Sequence, residues 1–155
     1  MKSCFLVGHH DAPISIQPLL DQIVEKLITQ QDVSCFYVGC HGSFDAMAVS
    51  AIQKAIACRA DVYAYLVIPY HPCERQYSVP EFFEDTYYPN GMEVVPRRYA
   101  IPRANRIVLD ESDILVTFVS RQGGNAAKLL KHGRTLERKG YMKIYNLSEG
   151  EFSAE

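Results

Sequence analysis

The sequence predicts an α/β fold: a Rossmann-like, mostly parallel sheet of about five strands with helices on both faces. Three observations carry this. Short, nearly continuous apolar runs recur along the chain, as in strands buried on both faces. Stretches with a helical apolar stripe separate them. Each of the first four runs ends in a polar or glycine-rich loop. Strand, helix, strand in this rhythm requires right-handed crossovers and hence parallel pairing.

The strand runs are Cys4–Val7, Val33–Val38, Val62–Ile68 and Ile114–Val119, with a weaker one at Met142–Tyr145. Between the first two, Ile16, Leu19, Leu20, Ile23, Val24, Leu27 and Ile28 fall on one helical stripe. Phe44, Met47, Ala48, Ala51, Ile52, Ala55 and Ile56 form a second stripe, whose alanines allow close packing on a sheet. Ala126, Ala127, Leu129, Leu130 and Leu136 mark a helix before the last strand.

The 155 residues suit a single domain over 1–155, one that buries roughly 70% of its unfolded surface. Residues 69–101 stand apart, with five prolines, five tyrosines and the acidic run EFFED, and are expected to form a long loop or lid. The tyrosines suggest a protein-facing surface, so a homo-oligomer is expected. SEGEFSAE at the C-terminus is the segment expected to fray.

Five cysteines without a C-x-x-C pair read as reduced, and no run approaches the ~18 apolar residues of a membrane span. A cytoplasmic protein without membrane contact is expected. The formal charge of −2 gives no overall positive field, which disfavours nucleic acid as a partner.

In an open parallel sheet, ligands bind beyond the carboxyl ends of the strands. The loops there are GHHDAP, GCHGSFDA, PYHPCER and SRQGGNAA. Gly39 and Gly42 are expected to turn the backbone at positive φ, with Ser43 as helix N-cap. Asp45, in the first helical turn, would repel a phosphate and suits sugar hydroxyls or a base edge. Gly123, Gly124 and Asn125 open a helix without an acid in its first turn and make the better phosphate cradle. Arg103 and Arg106, from the acid-free stretch VVPRRYAIPRANR, would support the phosphate. His9 and His41 would line the base or sugar side, and Gly8 is a further expected ligand-binding residue. Two rival readings are a zinc site built from His9, His10, His41, His71, Cys40 and Cys73, and a Cys40 nucleophile. The loops lack ligand-pair spacing, and adjacent Cys40 and His41 are poorly placed to face each other, so neither a metal nor a cofactor is expected.

Together GHHDAP, FYVGCHGSFDAMA, YLVIPYHP, RRYAIPRANRIVLDESD and GGNAAKLL resemble the SLOG superfamily, which groups the DNA-processing protein A fold with the Lonely guy phosphoribohydrolases. The likeness is to its small stand-alone bacterial and phage members. It implies a nucleotide or nucleotide-derived ligand at the strand ends, with the last glycine loop on phosphate. Hydrolase members carry P-G-G-x-G-T-x-x-E; here Leu130 stands on the glutamate position and can neither accept a proton nor stabilise charge. A sensor or sequestering module is therefore expected. The alternative is a nucleoside-monophosphate N-glycosidase or a deoxyribosyltransferase-like enzyme, with Glu81, Glu84 or Asp85 supplying the carboxylate.

Overall fold

Side chains alternate across a pleated strand, so a strand buried on both faces must feed two cores. In the computed structural model, which describes residues 2–149, β1 (Lys2–Leu6) does so. Cys4 and Leu6 enter one apolar cluster and Phe5 enters the other. The other strands are β2 (Val33–Val38), β3 (Tyr63–Val67), β4 (Asp85–Tyr87), β5 (Ile114–Thr117) and β6 (Lys143–Asn146). They form one all-parallel sheet in the order β4-β3-β2-β1-β5-β6, six strands where about five were expected.

The first face is covered by α1 (Gln17–Gln31) and α2 (Ser43–Ile56), which pack Leu20, Val24, Leu27, Ala48 and Ile52 onto Leu6, Phe36, Val38 and Val116. A proline in its first turn starts α1, and Asp32 ends it at φ 59°, a left-handed conformation that asparagine and aspartate tolerate best after glycine. The second face is covered by α3 (Ala100–Asp110) and α4 (Asn125–Arg138). Ala100, Ala104 and Val108 of α3 are buried at successive four-residue steps, against Phe5, Leu115 and Ile144.

Segment 69–101 holds more structure than a loop. It contains the edge strand β4, two 3-10 turns (Met92–Val94 and Arg97–Tyr99) and the first residues of α3. Phe83 and Met92 anchor it in the two cores, and the Tyr87 hydroxyl donates to Glu111 Oε2 at 2.6 Å. Of the C-terminal run expected to fray, Ser148 and Glu149 lie in a 3-10 turn, and residues 150–155 lie outside the described residues.

After β1 the chain adds β2, β3 and β4 on one side, then crosses to place β5 on the other. Such a switch opens a crevice between the loops that follow β1 and β5. No helix among the described residues is long and apolar enough to cross a membrane.

Candidate functional site

The crevice is a cavity of about 280 Å³ at the carboxyl ends of β1, β2 and β5. Nine of the residues singled out by sequence line it: Gly8, His9, Gly39, His41, Gly42, Asp45, Gly123, Gly124 and Asn125. Ser43, Arg103 and Arg106 do not. Ser43 is the first residue of α2 rather than its cap, and its hydroxyl donates to the Ala12 carbonyl at 2.8 Å, fastening the loop after β1. Arg103 and Arg106 lie exposed on α3.

The bend after β2 works by close approach. Gly42 has φ 179°, an extended conformation open to any residue, and Gly39 is likewise not at positive φ. A Cβ on Gly42 would stand 2.5 Å from His10 Cα, so the glycine lets the β1 and β2 loops touch. The Ser43 N–H donates to the His10 carbonyl at 2.8 Å across that contact. A Cβ on Gly39 would stand 3.1 Å from Asp45 Oδ2, and that oxygen accepts the His41 N–H at 2.8 Å.

Asp45 is 7% exposed, and its Oδ1 has no hydrogen-bond partner among the described residues. Burial raises its carboxyl to about 6, against the pull of the His41 N–H. His9 is 4% exposed, and its Nε2 is likewise without a partner among the described residues. Desolvation, then the Arg121 charge, lowers its imidazole below the usual range, which leaves it neutral at pH 7. Two residues of the cavity lining thus each carry a buried polar atom without a protein partner among the described residues.

After β5, Gly124 caps α4 at φ 94° and ψ 176°, a region essentially confined to glycine. No side chain caps this helix and no acid occupies its first turn, so its leading N–H groups and positive dipole end are free for an anion. Arg121 joins them on the rim. Its guanidinium reaches Asp11 from both terminal nitrogens, at 3.0 and 3.3 Å.

Asn105 and Asn125 also line an adjoining groove of about 190 Å³, shared with Pro102, Arg106, Lys128 and Leu129. The basic residues of α3 and α4 therefore meet beside the cavity rather than acting apart. Arg106 keeps a single long contact with Asp110, at 4.0 Å.

The rival chemistries fare worse. Among the described residues, no three His, Cys, Asp or Glu come together as a metal-binding group. Partial desolvation, then the Asp45 carboxylate, raises the Cys40 thiol, the opposite of what a nucleophile needs. Glu81, Glu84 and Asp85 do not line the cavity, and Leu130 lines a different one behind the glycine loop, so among the described residues Asp45 is the only carboxylate in the lining.

Two solved structures share this fold. The DNA processing protein A of Streptococcus pneumoniae superposes with a TM-score of 0.58 at 12% identity, covering 99% of this chain and 63% of that one. A structure of DNA processing protein A from Helicobacter pylori, described for its single-stranded DNA binding mode, superposes with a TM-score of 0.53 at 12% identity, covering 96% of this chain and 77% of that one. The chain thus spans under two thirds of the length of the first of these neighbours. No family model and no curated sequence matches it.

One sequence expectation needs correcting. A net charge of −2 disfavoured nucleic acid, but a protein of this fold binds single-stranded DNA. Whole-chain charge also averages over the local arrangement in which Arg106 and Lys128 flank one groove. Sequence reasoning placed His10 on these loops only as a zinc candidate and Arg121 only as a neighbour of the glycine loop, and it missed Ile101 and Asn105 as lining residues. Ile101 and Asn105 sit four apart on α3, a spacing that is informative only once the helix is recognised.

Proposed function

We propose that the cavity holds a phosphorylated nucleotide unit presented by single-stranded nucleic acid. The phosphate sits on the uncapped N-terminus of α4, at Gly123, Gly124 and Asn125, and the neighbouring backbone follows the Arg106–Lys128 groove. The continuity of that cavity with a basic groove, through Asn105 and Asn125, carries this reading. It agrees with the DNA-binding neighbour and with the SLOG-like motifs, whose last glycine loop takes phosphate.

A second reading, a free nucleotide held by a sensor module, is favoured by the size of the cavity, which is near the lower end of small-molecule pockets, roughly 300 Å³.

Fluorescence anisotropy of a labelled oligodeoxynucleotide, titrated over a range of salt, tests the nucleic-acid reading. Log affinity is expected to fall with log salt by about 0.7 per phosphate contacted. The double variant Arg106→Ala/Lys128→Ala should bind more weakly with a shallower slope. Unchanged binding in that variant would remove the groove from the account.

A further inference from the structure

The cavity is lined unevenly. Its α4 side offers backbone N–H groups and the exposed residues Arg121, Gly123, Gly124 and Asn125. On the β2 side the wall is Gly39 and the buried Asp45, whose Oδ1 lacks a partner among the described residues, while the buried His9 lies by Phe118 and Arg121. A buried polar atom of this kind calls for a hydrogen-bonding partner, which a water or a ligand group can supply.

The lining also contains no Phe, Tyr or Trp ring. Proteins that hold single-stranded bases stack them on aromatic side chains. A wall of glycines, a carboxylate and an imidazole suits a sugar instead. The base then stays at the mouth.

We propose that Asp45 receives the free 3′-hydroxyl of the nucleotide whose 5′-phosphate rests on the α4 N-terminus. The site then takes a 3′ strand end or a free nucleoside 5′-monophosphate, which share that chemistry, and not the interior of a strand. The inference rests on the nucleotide reading above.

The sign of the interaction follows from protonation. Above pH 6 Asp45 is mostly ionised and acts only as an acceptor, which matches a hydroxyl donor. A 3′-phosphate in the same place would set an anion against a buried carboxylate. An internal nucleotide carries such a phosphate by necessity.

The test uses one internally labelled oligodeoxynucleotide in three forms, ending in a 3′-hydroxyl, ending in a 3′-phosphate, or ligated into a circle. The 3′-hydroxyl form is expected to bind at least about tenfold more tightly than the other two, the effect of a buried hydrogen bond to a charged group. A nucleoside 5′-monophosphate should displace it. A circle that binds as tightly as the linear 3′-hydroxyl form overturns the inference and leaves the nucleotide reading standing. If neither oligonucleotide nor mononucleotide binds, the nucleotide reading itself fails. Asp45→Asn, nearly isosteric, should narrow the gap between 3′-hydroxyl and 3′-phosphate ends. An undiminished gap would take Asp45 out of the assignment.

Discussion

Asp45 Oδ2 accepts the His41 backbone N–H at 2.8 Å, while the other oxygen of the same carboxylate is buried without a partner among the described residues. One half of the side chain therefore fastens the β2 bend to the start of α2. The other half bears an unpaid desolvation cost, a pattern more common at binding sites than in structural cores.

That cost makes apo stability depend on pH. The Asp45 carboxyl titrates near 3.8 in the unfolded chain and at about 6 when folded, so the folded state binds the proton more tightly. Stability falls as pH rises through that window and levels off above it. Asp45→Asn, whose amide oxygen can still accept the His41 N–H, should be stabilised at pH 8 by on the order of 1–3 kcal/mol and unchanged near pH 4. Thermal melts of both proteins across this range check it.

Asp11 occupies the fork of Arg121, where a phosphate would bind. The pair is exposed, so freeing the guanidinium should cost little stability. Asp11→Asn should tighten nucleotide binding by about two- to fivefold, the range such a pair spans. Calorimetric titration of the two proteins measures it.

Glycines 42 and 123 should answer differently to alanine. A Cβ at Gly42 meets His10 backbone at 2.5 Å, which something must move to relieve, and about 1–3 kcal/mol of destabilisation is expected. At Gly123 nothing lies within 4 Å and φ is not in the positive range, so the melting temperature should hold. Thermal melts of Gly42→Ala and Gly123→Ala provide the comparison.

The parts of the fold legible in the sequence were those with one dominant pattern. Val33–Val38 is a nearly continuous apolar run, broken only by Ser34, and Ile16 to Ile28 a clean helical stripe; β2 and α1 lie there. The strand β4 escaped notice because it has three residues, Asp85–Tyr87, at a sheet edge where no apolar run is required. The helix α3 was hidden by Pro96, Pro102 and four arginines. Pro102 is harmless there because it sits in the first turn, where N–H groups have no helical partner anyway.

The site was legible to the extent that it follows from topology. Loops after parallel strands converge wherever they lie in the chain, so GHHDAP, GCHGSFDA and SRQGGNAA could be read together before any coordinates. Contacts set by helix placement could not. Arg103 is exposed outside the cavity and Asn105 lines it although only Ala104 separates them, a distinction that depends on how α3 docks. The bend at Gly42 likewise read as a left-handed turn, because glycine serves conformational freedom and close approach alike, and only the neighbouring His10 backbone tells them apart.

The measurement that bears most directly on the cavity as a nucleotide site is equilibrium binding of a nucleoside 5′-monophosphate and of a 3′-hydroxyl oligodeoxynucleotide to wild type and to Gly123→Glu. Gly123 is preferable to Gly124 because its backbone tolerates a side chain, whereas φ 94° at Gly124 does not. The account predicts an unchanged melting temperature and at least about tenfold weaker binding, from a carboxylate placed at the phosphate end of α4. Equal affinity in the two proteins would contradict it.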